Sequence, residues 1–170
     1  YNQTNTELID ICHLRTERQK LPFAKMQTCG NDYIFLENFN GEITCPESLC
    51  VTFCDRHYGV GADGIVLMER SRKADAKMIM YNADGSRGAM AGNALRCMAK
   101  YLYDNNIVRK DAMTIETDTG VKTVEVYTTD GKVTSATVDM GYATLDTTAL
   151  QLDLPEKEIV GYPVTIGEKE

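Results

Sequence analysis

No stretch of this chain approaches the about 18 consecutive apolar residues that a membrane-spanning helix requires. The segment Tyr1 to Lys20 has no apolar core of the kind that marks a signal peptide. Its Glu7, Asp10 and Glu17 also argue against an organelle transit sequence. Positive charge is in short supply. Lysine and arginine number 18 against 25 aspartates and glutamates, and the net charge of −7 argues against a nucleic-acid backbone or an anionic membrane as partner. Low-complexity segments and internal repeats are missing too. The expected compartment is the cytoplasm.

What is present is enough for a core: 43% of the 170 residues are hydrophobic, the composition of one domain or a little more. The six cysteines (Cys12, Cys29, Cys45, Cys50, Cys54, Cys97) occur without a secretory signal, so free thiols are expected rather than disulfides. Residues 1–22 carry Leu8, Ile9, Ile11 and Leu14 at helix-compatible spacing, which fits either a short amphipathic helix or an extension without chemistry.

Further along, Ile34–Leu36 and Ile65–Met68 read as strands, and Pro46 suits the first position of a helix running to about His57. The apolar run Ala76 to Tyr81 reads as a buried strand. Turn residues Asn82-Ala-Asp-Gly-Ser follow it. From Gly92 to about Asp104 good helix formers carry apolar residues on nearly every side, so this helix is expected to be buried. Beyond it the pattern alternates over Met113–Thr117, Val121–Tyr127 and Val133–Met140, with a hairpin signal at Asp130-Gly131. A last strand is expected over Ile159–Ile166, demoted to an edge by Pro163. The sum is an α+β arrangement, a mixed or antiparallel sheet with one buried helix.

Three literal motifs fail on context. Gly59-x-Gly61-x-x-Gly64 matches a dinucleotide fingerprint, but a helix precedes it and a strand follows, the reverse of what that motif needs. Cys50, Cys54 and His57 at i, i+4 and i+7, with Cys45 nearby, suggest zinc, against the simpler reading that cysteine packs as a small hydrophobe. Asn82-x-Asp84-x-Ser86 opens like a calcium loop and then places Arg87 and Asn93 where glycine and glutamate are required.

The Gly-rich loop from Asn82 to the start of the buried helix is the informative stretch. A helix beginning beside Asn, Gly and Ser offers free backbone N–H groups and partial positive charge, a place to hold a carboxylate or to acidify a thiol. Asn82-Ala-Asp-Gly-Ser86 followed by Met90-Ala91-Gly-Asn-Ala-Leu-Arg-Cys97 resembles the diaminopimelate epimerase family. So do Lys25-Met26 through Gly30-Asn31-Asp32-Tyr33, and Arg56 through Gly59-Val60-Gly61-Ala62-Asp63-Gly64.

This resemblance implies a curved sheet wrapped around a central helix, repeated in two pseudo-symmetric domains. It divides the chain into an extension (1–22), an N-terminal epimerase-like domain (23–145) and a crossover segment (146–170) towards a second domain, supplied by the same gene or a companion chain. It implies Asn31, Asn82, Gly92 and Asn93 as residues that hold an amino acid's carboxylate and ammonium. It also implies a cofactor-free, two-thiol proton transfer interconverting LL- and meso-diaminopimelate, with a homodimer left open.

The sequence departs from the family at the catalytic position, where Ala91 stands in place of the first cysteine. Cys97 lies about 9 Å further along the helix and about 120° around it, too far to replace that thiol, and is expected to pack. Three explanations of Ala91 stay open: a thiol deliberately removed, a natural amino-acid binder without turnover, or a disabled racemase for another amino acid such as histidine. Arg87, where the family commonly has an acidic residue, is a second departure.

Overall fold

The structure is a computed structural model, and it describes residues 20–155 and 157–163. The helix considered for residues 1–22 therefore lies almost wholly outside the described residues. Two compact units are distinguished, one ending at Asp139 and the other beginning at Met140.

The first unit contains β1 (Ala24–Thr28), β2 (Asn31–Glu37), α1 (Pro46–Cys54), β3 (Gly64–Glu69), β4 (Ala76–Asn82), β5 (Arg87–Gly88), α2 (Gly92–Asp104), β6 (Ala112–Thr117), β7 (Gly120–Thr129) and β8 (Lys132–Val138). The strands form one sheet in the order β1-β2-β3-β4-β6-β7-β8, with β5 paired onto β4. β2–β3 and β4–β6 run parallel and the other pairs antiparallel, so the expected mixed sheet is present.

Strand alternation separates two cores. Tyr33, Phe35, Val66, Met68, Met78 and Met80 pack on one face against Leu95, Met98 and Leu102 of α2. Ile34, Leu36, Ile65, Leu67 and Ile79 point the other way, against Leu49, Cys50 and Phe53 of α1.

The sheet curls around α2, and polar contacts from both of its edges show this. At one edge Thr28 Oγ1 of β1 lies 2.9 Å from Cys97 Sγ. At the other, the backbone N–H of Val133 in β8 donates to Asp104 Oδ1 at 2.9 Å, and Lys100 Nζ donates to the Val133 carbonyl at 2.6 Å. No residue of α2 is exposed, as its all-round apolar pattern requires. Cys97 is part of this core, and burial pushes its thiol pKa up.

Several local expectations need correction. α1 stops at Cys54 rather than near His57, because the Asp55 carboxylate accepts the N–H groups of His57 and Tyr58 at 2.7 and 2.8 Å and turns the chain. His57 thus leaves the helical face of Cys50 and Cys54, and the i, i+7 geometry behind the zinc reading does not exist. The buried pair is Cys50 and Cys54, with sulfurs 3.6 Å apart. Gly59, past the helix end, sits so close to the carbonyls of Thr52 and Phe53 that a Cβ would overlap both.

β1 had no prior expectation. It is short, and it joins β2 through Cys29 and Gly30, both at positive φ (56° and 81°), a two-residue hairpin whose backbone favours glycine at the second position. β8 ends at Val138, two residues before Met140.

The second unit contains the bridge Asp146–Glu158, with Thr147 N–H donating to the Lys157 carbonyl at 2.9 Å and Asp146 capping the turn that follows it. Residues 159–163 do not form the expected strand, and 164–166 lie outside the described residues. Among the described residues no helix is long and apolar enough to cross a membrane.

Candidate functional site

The start of α2 is the centre of the candidate site. Ala91 occupies the N-cap position in extended conformation (φ −136°, ψ 122°), and among the described residues no side chain caps the helix. The first intrahelical bond runs from Leu95 N–H to the Ala91 carbonyl at 3.0 Å. The N–H groups of Gly92, Asn93 and Ala94 therefore head a helix with no acidic residue in its first turn. Such an end attracts an anion. Ala91 is half-buried and packs against the α2 core with its methyl group, and it contributes no acid or base.

The sheet brings two of the anticipated asparagines to the same rim. Asn31 begins β2, Asn82 ends β4, and Gly64 lies between them: Gly64 pairs with Tyr33 on one side and with Asn82 on the other. Alternation assigns positions 31, 64 and 82 to the α2 face, continuing the series of Tyr33, Val66 and Met80. At position 64 a Cβ would lie 2.3 Å from the Tyr81 carbonyl oxygen, so only glycine lets β3 and β4 approach as they do.

Asn93 and Asn31 meet directly. Asn93 Nδ2 donates to Asn31 Oδ1 at 3.3 Å, across 62 residues of sequence. Asn82 is held separately: its amide donates to Ser86 Oγ at 3.0 Å within its own loop. Among the described residues no hydrogen bond links it to Asn31 or Asn93. That loop is a tight hairpin rather than an open connection. Asn82 N–H donates to the Ser86 carbonyl at 2.8 Å, and Asp84 accepts from both Ser86 N–H and Oγ. Gly85, at φ 84°, lies against Glu47 and Val51 of α1, and Cys50 Sγ donates to the Asn82 carbonyl at 2.9 Å. α1 thus supports the loop from the face opposite α2. The hydrogen bond to Cys50, with burial adding to it, holds the Cys54 thiol well above its usual range.

Arg87 is fully engaged. It makes a two-pronged bond to Asp118, with Nε–Oδ2 at 2.6 Å and Nη2–Oδ1 at 2.9 Å, tying β5 to the β6–β7 turn. The departure from an acidic residue here is accommodated by that partner.

Four charged residues near the asparagines were not singled out from sequence. Asp63 Oδ2 accepts from Asn31 Nδ2 at 2.7 Å and from the Asp32 N–H at 3.0 Å. Arg56 Nη2 bridges Asp63 Oδ1 (2.8 Å) and Asp32 Oδ1 (2.7 Å). Arg96, one turn into α2, donates to Asn93 Oδ1. All four stand inside the recognisable motifs, but nothing in the spacing announced that Asp32, Arg56 and Asp63, up to 31 residues apart, would share one network.

The Arg56 guanidinium is the main cause that lowers the Asp32 carboxyl to about 2, against the opposing effect of burial, with Lys25 helping at 3.2 Å. A carboxyl depressed in the folded state stabilises the fold above its unfolded pKa and loses that contribution as pH falls through the folded value. Asp32→Asn is therefore expected to cost about 1–2 kcal/mol at pH 7, discounted because Arg56 is half-exposed, with the gap to wild type closing between about pH 4 and pH 2. Urea unfolding at several pH values measures this. Two curves staying parallel down to pH 2 would reject the assignment.

A curled mixed sheet closed on one helix is a fold found among isomerases that share little sequence. The chain superposes with a TM-score of 0.57 on a hydroxyproline epimerase from Agrobacterium vitis (16% identity, covering 69% of this chain and 40% of that one). It matches a methylitaconate-delta-isomerase with a TM-score of 0.55 (16% identity, covering 66% of this chain and 36% of that one). At this identity the likeness shows the fold alone.

Sequence makes the particular assignment: the chain belongs to the diaminopimelate epimerase family, whose profile matches residues 23–145. It is 50% identical over 121 residues to a diaminopimelate epimerase of Desulfovibrio desulfuricans, covering 71% of this chain and 42% of that protein. With the diaminopimelate epimerase of Agathobacter rectalis it shares 36% identity over 157 residues, 88% of this chain and 55% of that one. The chain thus spans about half the length of these relatives.

Proposed function

We propose that this chain is the amino-acid-holding N-terminal half of a cofactor-independent diaminopimelate epimerase, and that Ala91 leaves it unable to turn its ligand over. The observation that carries this reading is the uncapped α2 N-terminus with Asn93 and Asn31 joined beside it and Asn82 on the same rim. In this reading the ligand's α-carboxylate sits on the N–H groups of Gly92 and Asn93, with the asparagine amides supplying further polar contacts to it and to the ammonium.

Inverting the α-carbon requires an acid–base group on each face, one removing a proton while the other returns one. A cysteine at 91 would be one of them, its thiol acidified by the helix N-terminus and made effective by exclusion of water. The second would come from a second domain, the partner this half requires. The reaction converts LL- to meso-diaminopimelate, a step serving lysine and peptidoglycan precursor synthesis in the cytoplasm.

A second reading is favoured by Ala91 itself. A methyl group at the base position suits a protein that binds an amino acid without changing it. The coding sequence at position 91 in the source gene discriminates the two: a cysteine codon speaks for the epimerase and an alanine codon for the binder. For the ligand, calorimetric titration of the Ala91 protein joined to its second domain should give saturable binding of meso-diaminopimelate and about tenfold or weaker binding of histidine and ornithine. No heat with diaminopimelate would reject the substrate assignment.

A further inference from the structure

Four side chains form an unbroken polar line past the start of α2: Arg96 donates to Asn93, Asn93 Nδ2 to Asn31 Oδ1 (3.3 Å), and Asn31 Nδ2 to Asp63 Oδ2 (2.7 Å). The two ends have fixed polarity. A guanidinium carries only donors, so Asn93 must turn its oxygen towards Arg96. A carboxylate carries only acceptors, so Asn31 must turn its nitrogen towards Asp63, which Arg56 holds from the other side at 2.8 Å. With both ends set, the middle bond has one consistent sense, nitrogen of Asn93 to oxygen of Asn31. Reversing either amide would face oxygen with oxygen or nitrogen with nitrogen.

We infer that Arg96 and Asp63 are positioning residues that set the orientation of the Asn93 and Asn31 amides before any ligand arrives. This rests on the reading that an amino acid is held at the α2 N-terminus. The Asn93 Nδ2 group has two hydrogens and uses one in the line, so it keeps one N–H for a ligand oxygen, while the Asn31 amide is held by Asp63 and also turned towards the Tyr33 hydroxyl. The line thus presents the Asn93 donor to a carboxylate without the cost of reorienting a free amide on binding. Neither Arg96 nor Asp63 needs to touch the ligand. The arrangement depends on the fold: Arg96 is one turn along α2, Asn31 is at the start of β2 and Asp63 is just before β3.

The test uses variants whose replacement side chains differ in polarity. Glutamine at 96 and asparagine at 63 have amide groups that accept as readily as they donate, so Arg96→Gln and Asp63→Asn each remove the directing end. Lysine is donor-only, so Arg96→Lys keeps it. The readout is the side-chain ¹⁵N–¹H resonances of Asn31 and Asn93 in the labelled 170-residue chain, with backbone dispersion checking the fold.

Arg96→Gln is expected to shift the Asn31 signals, although among the described residues Arg96 bonds to Asn93 and not to Asn31, and Asp63→Asn to shift those of Asn93. Arg96→Lys should leave the Asn31 pair near its wild-type position. Unmoved Asn31 signals in a folded Arg96→Gln protein, or equal shifts in the lysine and glutamine variants, would overturn the line. Should Arg96→Gln fail to fold, Asp63→Asn decides from the opposite end.

Titration of the Ala91 protein joined to its second domain with meso-diaminopimelate separates this inference from the functional reading. Shifts of the Asn31 and Asn93 side-chain signals in wild type, with about tenfold weaker binding in Arg96→Gln, support both. A responsive line with no effect of diaminopimelate upholds the positioning role and removes the substrate assignment.

Discussion

Ala91→Cys, in the protein completed by its second domain, is expected to raise exchange of the diaminopimelate α-hydrogen with deuterated water by about 10²–10⁴-fold over the Ala91 form. The expectation follows from where position 91 lies. It is the N-cap of α2, in extended conformation, with an uncapped helix end beside it. A thiol placed there feels the partial positive charge of the first turn, which favours the thiolate a proton acceptor must be.

The methyl group of Ala91 can neither accept nor deliver a proton, and none of the buried thiols among the described residues replaces it. Cys97 is buried with its sulfur against Thr28, and Cys50 and Cys54 belong to the core on the opposite face of the sheet. The measurement is the rate of deuterium incorporation by mass spectrometry or proton NMR, with ligand binding confirmed in parallel. A folded, ligand-binding cysteine variant that exchanges no faster than the alanine form would exclude position 91 as a base.

Truncating Leu95 should have the largest effect on stability. Leu95 is fully buried in the α2 core, and Leu95→Ala is expected to cost about 3 kcal/mol, from lost transfer free energy together with the cavity left between helix and sheet. The wrapped sheet makes this position severe. Strands at both sheet edges bond to α2, so a void on the helix cannot be closed by moving one strand without disturbing the others. Val121, half-exposed on β7, supplies the contrast: Val121→Ala should change stability by no more than about 0.5 kcal/mol. Urea titration followed by circular dichroism compares the two. A loss at Leu95 no greater than that at Val121 would contradict the enclosed position of the helix.

The loop after β4 marks how far pattern reading reached. Asn82-Ala-Asp-Gly-Ser declared a turn, and the structure contains one, but its hairpin form depends on β5, a two-residue strand whose sequence Arg87-Gly88 has no strand periodicity. β5 exists because β4 offers a pairing edge and because Arg87 is anchored to Asp118, 31 residues away. The end of α1 failed for a related reason. Helix-compatible spacing ran on to His57, while a single local competitor, the Asp55 carboxylate, captured the next N–H groups. The asparagines were noticed through motif resemblance, and their charged supports, Asp63 and Arg96, stand in the same motifs, but which asparagine each would bond had no signal until the fold set them in line.

Alternation of apolar residues and an all-round apolar helix determined an α+β chain with α2 inside it, because burying those faces is the dominant favourable term and it acts on every residue of the pattern. The order of the motifs determined the family, and the alanine at 91 was visible at once. Tertiary structure alone decided that Asn31 meets Asn93, that Gly64 spaces Asn31 from Asn82, and that Arg96 and Asp63 orient the amides between them. The Asn93–Arg96 contact lies within one helical turn, whereas those of Asn31, across 32 and 62 residues, depend on sheet curvature and register. Hydrogen bonds are short and directional, so only a folded backbone that fixes positions to a fraction of an ångström selects which of many polar side chains become partners.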